Sequence, residues 1–210
     1  MNMSDEGNAL LSPPRKPLLF VLSGLSGAGK DTVLDRLAES GFPAVHVITN
    51  TTREPRPGER DGEHYHFISD DKFQQMRAND ALLESASVYG NWYGVPREPV
   101  KQALDSGKDV IIKVDVQGAL TIKKIAPEAV FIFLAPPSIE ELVTRLRQRR
   151  TETEAEFELR TKTANEELAQ LSAFDYLVIN RQGEVDRTVA DIKAIFQAEK
   201  CRVKPRDISL

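Results

Sequence analysis

Cysteine and histidine are scarce in this chain of 210 residues. The single cysteine, Cys201, excludes an intrachain disulfide and any metal site built on paired cysteines. The histidines are His46, His64 and His66, and a zinc site would have to recruit carboxylates around the last two. The chain is therefore expected to fold without a disulfide or a structural metal, which its length permits.

Long hydrophobic runs are also missing. No apolar stretch approaches the roughly 18 residues that a membrane helix needs. Residues 1–17 contain Pro13, Pro14 and Pro17 and no apolar core of the length found in signal peptides, so they are expected to form a flexible leader. We therefore predict a cytoplasmic protein with no membrane partner.

An excess of basic charge is absent as well. Lys and Arg number 28 against 32 Asp and Glu, which gives a formal net charge of -4. Dedicated binders of nucleic-acid polymers usually carry a strongly basic domain, so no such partner is expected. The overall balance still permits a locally basic site for a small polyanion.

Short apolar runs alternate with helical patterns along most of the chain. Residues 18–22 form a continuous apolar run that glycines follow, which is typical of a strand buried on both faces. Residues 31–39 have apolar side chains at helical spacing. Further strands are predicted at 44–48, 109–114, 129–134 and 177–179, and further helices at 100–104, 119–125, 138–149, 154–171 and 185–200. The alternation predicts an α/β fold with a parallel sheet flanked by helices.

Two segments interrupt this alternation. Residues 49–96 contain most of the aromatic residues and many turn residues, and we interpret them as an inserted subdomain. Residues 145–162 are dense in charges of both signs. Taken alone, such a run favours a solvated helical surface.

A phosphate-binding loop of the Walker A type joins the first strand to the first helix. It comprises Gly24, Leu25, Ser26, Gly27, Ala28, Gly29 and Lys30. Glycines let the backbone curl, so that its amides and the helix N-terminus direct positive charge at phosphate oxygens. Lys30 adds a full charge toward the terminal phosphates. The loop predicts a P-loop NTPase fold.

The residue after this lysine departs from the motif. A Ser or Thr hydroxyl normally holds Mg²⁺ there, whereas this sequence has Asp31 followed by Thr32. A carboxylate is a competent Mg²⁺ ligand, but it also places negative charge near the nucleotide phosphates. Three arrangements stay open: Thr32 holds the ion, Asp31 holds it through water, or nucleotide oxygens and water hold it for the most part.

The segment TTREPRPGERDGEHYHFI, residues 51–68, predicts a site for a second phosphate. Arg53 and Arg56 present planar forks that match phosphate oxygens in bidentate fashion. The intervening prolines stiffen the loop and reduce the entropy lost on binding. Tyr65 can offer its hydroxyl to the same phosphate. A charged surface loop is the alternative, which would be supported by Glu54, Glu59, Arg60 and Asp61.

This segment resembles the guanylate kinase signature, TTR-x-x-R-x-x-E-x-x-G-x-x-Y-x-F, at every fixed position. The resemblance covers nearly the whole chain beyond residue 17. It also includes Glu84 in LLESASVYG, NWYG at 91–94, VDVQGA at 114–119, FLAPPS at 133–138, the stretch 145–153, and YLVIN at 176–180. Guanylate kinases are nucleoside monophosphate kinases that transfer a phosphoryl group from ATP to GMP.

The resemblance implies substrates, a cofactor and residue roles. ATP and GMP would be the substrates, with dGMP a second acceptor and Mg²⁺ accompanying ATP. The ATP-binding set would be the loop from Gly24 to Lys30 with Asp31, Thr32 and Asn180. The GMP-binding set would be Thr49, Arg53, Arg56, Tyr65, Glu84, Tyr93 and Asp115. The catalytic set would be Lys30, Arg53, Arg149 and Arg160, the last two being arginines that close over the transferring phosphate.

The resemblance also implies a division of the chain. The core would comprise residues 18–48, 97–144 and 163–210, preceded by the leader. Residues 49–96 would form the GMP-binding insertion and residues 145–162 a helical lid. We expect a monomer or a small homo-oligomer. Besides Asp31, the sequence departs from the commoner family pattern at Val95, Lys113, Arg150 and Arg181.

Two alternatives to a guanylate kinase stay open at this point. A ribose 1,5-bisphosphate phosphokinase would share the fold, and such enzymes often carry Lys-Asp in the phosphate loop. A non-catalytic binding module resembling guanylate kinase is the other, although such modules tend to lose the loop.

Overall fold

The computed structural model describes residues 16–148 and 162–210. In chain order the elements are β1 (Leu19–Gly24), α1 (Lys30–Glu39), β2 (Val45–Val47), β3 (Asn50–Thr51), β4 (His66–Phe67), α2 (Asp70–Ala78), β5 (Leu82–Val88), β6 (Asn91–Pro96), α3 (Arg97–Asp105), β7 (Val110–Lys113), α4 (Val116–Ile125), β8 (Val130–Ala135), α5 (Ile139–Gln148), α6 (162–168), β9 (Tyr176–Ile179) and α7 (Val185–Lys200).

The main sheet has five strands in the order β2-β7-β1-β8-β9, and every neighbouring pair is parallel. Strands β1, β7 and β8 are buried along their whole length, as the continuous apolar runs predict. Leu19 and Val21 pack into one hydrophobic cluster, whereas Phe20 and Leu22 pack into another. Because successive side chains of a strand point to opposite faces, the sheet has a core on each side. The predicted α/β fold is confirmed.

A second sheet has the strand order β4-β3-β6-β5. Strands β5 and β6 form an antiparallel hairpin, β3 pairs with β6 in antiparallel fashion, and β3 and β4 are parallel. Phe73 of α2 is fully buried and stacks on Trp92, with the ring centroids 5.9 Å apart. All four strands fall within residues 49–96, and the proposed domain boundaries themselves stay a prediction.

The strand ends of the main sheet bring separate segments of the sequence together. Strand β1 ends at Gly24, where a side chain could not fit because an added Cβ would lie 2.0 Å from the carbonyl oxygen of Leu134. Strand β7 ends at Lys113, two residues before the N-cap of α4 at Asp115. Since the carboxyl ends of parallel strands meet at one edge, the phosphate loop and Asp115 are neighbours there.

Some of the predicted elements extend beyond the described residues. Of the helix predicted at 154–171, residues 162–168 are described and helical, whereas residues 169 and 170 form a turn and Leu171–Ala173 form a short 3₁₀ helix. Most of the predicted lid, including Arg149 and Arg160, lies outside the described residues. Within the described ranges, no helix combines the length and the hydrophobicity needed to cross a membrane.

Candidate active site

The phosphate loop curls between β1 and α1 as its glycines allow. Gly27 and Gly29 have φ angles of 90° and 91°, which side-chain-bearing residues rarely adopt. Lys30 donates hydrogen bonds from Nζ to the carbonyl of Gly24 at 2.7 Å and to that of Leu25 at 3.1 Å. Burial lowers the pKa of Lys30, while surrounding carboxylates act in the opposite direction. The ammonium group is thus held against its own loop.

Asn180 and Arg145 both hydrogen-bond the backbone of the phosphate loop. The Asn180 amide donates to the carbonyl of Ala28 at 2.8 Å and accepts from the Thr188 hydroxyl at 3.0 Å. Arg145 donates to the carbonyls of Asn180 at 2.6 Å and Ala28 at 3.3 Å. Asn180 is only 6% exposed, and a Cβ at Gly29 would lie 2.5 Å from its amide nitrogen. These contacts fix the backbone of the phosphate loop at Ala28.

Arg53 is oriented by a carboxylate. Its guanidinium donates to Glu59 at 2.8 Å, to the Tyr93 hydroxyl at 3.2 Å and to the Glu54 carbonyl at 2.6 Å. Glu59 also accepts from the Arg56 amide at 2.7 Å. Burial of Glu59 opposes its ionisation, but the bonds from Arg53 and Arg56 outweigh this and lower its pKa. Sequence reasoning counted Glu59 toward a surface loop, whereas its side chain is 13% exposed and holds Arg53 in place.

Tyr65 lies beside this arginine. Its ring meets the Tyr93 ring edge-on at 5.8 Å, and the Arg53 guanidinium lies 5.5 Å from its centroid. Burial raises the pKa of Tyr65 well above its usual value. The hydroxyl therefore stays protonated and remains a hydrogen-bond donor at neutral pH.

Glu84 on β5 is a buried carboxyl group with one unused oxygen. The residue is 5% exposed, and Oε2 has no hydrogen-bond partner among the described residues. Burial and the charge of Asp115 raise the pKa of Glu84 to about 8, against a hydrogen bond from the Val95 backbone. Gly118 leaves room beside it, since an added Cβ would lie 2.8 Å from Oε2. An unpaired buried acceptor is costly, which is typical of a group reserved for a ligand.

Asp115 and Thr49 are tied to the backbone around the same space. The Asp115 carboxylate accepts from the amide of Gly118 at 2.9 Å and so caps α4. The Thr49 hydroxyl donates to the carbonyl of Lys113 at 3.0 Å. Both side chains therefore also stabilise the strand ends on which the site is built.

These groups surround a cavity of about 120 Å³. Of the residues predicted to bind nucleotides, the cavity is lined by Ser26, Gly27, Gly29, Lys30, Asp31, Thr49, Arg56, Tyr65, Glu84, Tyr93 and Asp115. The predicted residues that are described but do not line it are Gly24, Leu25, Ala28, Thr32, Asn180 and Arg53. Arg53 contacts two of the lining residues, Tyr65 and Tyr93.

Glu167 of α6 lines the cavity as well, and sequence reasoning missed it. Its carboxylate accepts a hydrogen bond at 3.4 Å from the amide of Ser26 in the phosphate loop. Burial raises the pKa of Glu167, while the charge of Lys30 opposes that shift. One glutamate in a charge-dense helical stretch gives no sequence signal, because only the tertiary fold brings it to the loop.

The fold and the site together define a class of protein. A phosphate loop at a strand end shares one cavity with the guanidinium of Arg56, the ring of Tyr65 and the buried carboxyl group of Glu84. This is the arrangement of a P-loop nucleotide kinase, in which a donor nucleotide and an acceptor meet.

Comparisons with known proteins identify the family. The guanylate kinase family model matches residues 16–199. The chain is 48% identical to the guanylate kinase of Caldanaerobacter subterraneus subsp. tengcongensis over 92% of this chain and 93% of that protein. It is 41% identical to guanylate kinase 2, chloroplastic/mitochondrial, of Oryza sativa subsp. japonica over 95% of this chain and 70% of that one. The crystal structure of guanylate kinase from Anaplasma phagocytophilum superposes with a TM-score of 0.73 at 31% identity, over 90% of this chain and 88% of that one.

The chain belongs to the guanylate kinase family. The prediction of an ATP:GMP phosphotransferase is thereby confirmed.

Proposed function

We propose that ATP and GMP meet at this cavity and that the residues around it act as follows. Lys30 and the amides of residues 24–30 hold the ATP phosphates, and Arg53, Arg56 and Tyr65 hold the phosphate of GMP. Thr49, Tyr93 and Asp115 complete the acceptor site. The observation that carries this proposal is that the loop lysine, the cation Arg56 and the buried acid Glu84 line the same cavity.

The reaction needs positioning and charge neutralisation more than covalent help from the protein. An oxygen of the GMP phosphate attacks the terminal phosphorus of ATP. The bond from that phosphorus to the bridging oxygen breaks, and ADP leaves with the electron pair. Fixed cations on both sides of the transferred group stabilise the negative charge that spreads over its oxygens. Arg149 and Arg160, outside the described residues, are proposed to add to this set and to exclude water.

Glu84 supplies the choice of base. A carboxylate at this position accepts hydrogen bonds from N1–H and from the 2-amino group of guanine. Adenine offers neither donor, so the buried acceptor would stay unpaired with AMP, and such a loss is severe in a dry site. The sugar makes no part of this argument, so dGMP is also expected to be an acceptor.

Mg²⁺ is proposed to accompany ATP. No group of three or more His, Cys, Asp or Glu among the described residues could hold a metal ion. Mg²⁺ is commonly held by substrate phosphates, waters and one or two carboxylates. Thr32 is exposed and outside the cavity lining, and Asp31 is paired with Lys113. Nucleotide oxygens and water are therefore proposed to hold the ion for the most part, with Asp115 as the cavity carboxylate that fits this role. When bound, the ion neutralises phosphate charge and orients the phosphates.

A coupled assay of ADP release tests the proposal with GMP, dGMP, AMP, UMP and ribose 1,5-bisphosphate as acceptors. We expect turnover with GMP and dGMP and little with the other three. Lys30→Met should abolish it, while Lys101→Met, at an exposed position on α3, should not change it. Preference for ribose 1,5-bisphosphate, or no turnover with any acceptor, would contradict the proposal. A cytoplasmic location and the oligomeric state stay predictions of the sequence.

A further inference from the structure

Lys113, the last residue of β7, is a buried cation beside the candidate active site. Its side chain is only 4% exposed. The ammonium group hydrogen-bonds the carboxylate of Asp31, donates to the carbonyl of His64 at 3.2 Å, and lies 3.8 Å from the centroid of the Tyr65 ring. A lysine has three N–H donors, and these three partners match them in number. A buried ammonium is tolerated only when it is paired in this way.

These contacts join three parts of the protein. Asp31 is the second residue of α1 and follows Lys30 directly, while His64 and Tyr65 belong to the segment 51–68 that carries Arg53 and Arg56. Lys113, Asp31 and Tyr65 all line the cavity. Lys113 therefore lies where the phosphate loop, the segment 51–68 and the main sheet meet.

The pair also accounts for a departure in the sequence. A carboxylate stands at position 31, where the phosphate-loop motif has a hydroxyl. The side chain of Lys113, opposite in charge, is in contact with it. An unpaired carboxylate at position 31 would repel the phosphates bound by the loop, and the ammonium of Lys113 cancels that charge.

We propose that Lys113 is a positioning residue for phosphoryl transfer, which neutralises Asp31 beside the phosphate loop and holds the Tyr65 segment against the sheet. The inference rests on the function proposed above. It assigns Lys113 two separable effects: the contact with Asp31 supports ATP binding, and the contacts with His64 and Tyr65 support GMP binding. If Lys113 only stabilised the fold, replacing it would lower the melting temperature and would not change the Michaelis constants for ATP and GMP in different ways.

The test is a double-mutant cycle of Lys113→Met, Asp31→Asn and the two combined, assayed with ATP and GMP varied separately. Lys113→Met should raise the KM for ATP about tenfold, because the Asp31 carboxylate then lacks the Lys113 ammonium that offsets its charge beside the phosphates. It should also raise the KM for GMP at least about threefold, since the cation over the Tyr65 ring is lost. Adding Asp31→Asn should bring the KM for ATP back to within about threefold of wild type, while the KM for GMP stays raised.

Lys123 offers a matched control. It is a half-buried lysine on α4 whose ammonium donates to the Ala173 carbonyl and lies 4.8 Å from the Phe131 ring centroid. It does not line the cavity. Lys123→Met should lower the melting temperature and leave both Michaelis constants within about twofold of wild type, because it removes similar packing without touching the site.

Two results would overturn the inference. One is that Lys113→Met leaves both Michaelis constants unchanged. The other is that the double variant has the same raised KM for ATP as Lys113→Met. If Lys113→Met does not fold, Lys113→Gln takes its place, because it loses the charge while keeping a donor for His64. An inactive wild type would refute the proposed function instead, so the two failures are distinguishable.

Discussion

Binding of GMP should release a proton from Glu84. Burial and the charge of Asp115 raise the pKa of this group to about 8, so at pH 7 the free protein holds it mostly as the neutral acid. Guanine presents two donors, N1–H and the 2-amino group, and we propose that these pair with the ionised carboxylate. Below pH 8 the apparent affinity for GMP should therefore fall about tenfold for each pH unit. Between pH 9 and pH 6.5 the loss amounts to about thirtyfold.

Glu84→Gln is the matched control for this prediction. The phosphate of GMP also titrates near neutral pH, and it does so equally with both proteins. The variant should bind GMP more weakly at pH 9 and lose the additional pH dependence. Calorimetry of GMP binding at pH 7, in two buffers of different ionisation enthalpy, should report release of about 0.9 protons more with wild type than with Glu84→Gln. A wild-type KM for GMP that is flat from pH 6.5 to 9, or an unchanged slope in Glu84→Gln, would refute the reasoning.

The same group makes stability depend on pH. Because the folded-state pKa of Glu84 lies above its unfolded value of 4.5, the stabilisation by the neutral acid is complete below 4.5 and is lost as the pH rises toward about 8. The displacement of this pKa from 4.5 to about 8 corresponds to an upper limit of roughly 5 kcal/mol. Glu84→Gln should therefore unfold at higher urea than wild type at pH 9, and the difference should shrink toward pH 5.

Three further predictions follow from the contacts. Arg53→Lys should lower kcat/KM for GMP about a hundredfold in steady-state assays, since the planar guanidinium that contacts Glu59 and Tyr93 is lost. Arg60→Lys, at an exposed position, should leave kcat/KM unchanged, and equal effects of the two substitutions would contradict this prediction. Glu167→Gln should lower the KM for ATP about threefold, because it removes a negative charge from a loop amide that phosphate needs; a raised KM would count against it. Gly24→Ala should lower the free energy of unfolding in urea by at least about 3 kcal/mol, because the added Cβ would clash with a carbonyl oxygen. Gly41→Ala, with open space around it, should lower it by about 1 kcal/mol. Similar losses for the two variants would refute the steric argument.

The alternation of apolar runs and helical patterns was sufficient to predict the parallel sheet. Strands such as β1 and β8 are buried on both faces, so their sequences are continuous apolar runs that need no tertiary information to recognise. The phosphate loop was equally predictable, because its chemistry is contained in consecutive residues. The segment 51–68, with Arg53 and Arg56, is predictable for the same reason.

Contacts between distant residues could not be predicted. Nothing in the sequence shows that Lys113 and Asp31, 82 residues apart, pair with each other, since each appears alone as a departure from a motif. Glu167 lies 141 residues from the amide that it accepts from. The charged residues around Glu59 left a surface loop open as an alternative, but the Glu59 side chain is largely buried against Arg53. Such contacts depend on how the topology of the sheet brings distant segments together, and local sequence patterns do not contain this information.

We propose that the terminal phosphoryl group of ATP passes directly to GMP within one cavity. This transfer is tested most directly with ATP labelled in its terminal phosphate with radioactive phosphorus, in parallel reactions containing GMP or AMP. We expect the label to appear in GDP in the first reaction and to stay in ATP in the second. Label recovered as inorganic phosphate, or transferred equally well to AMP, would contradict the account.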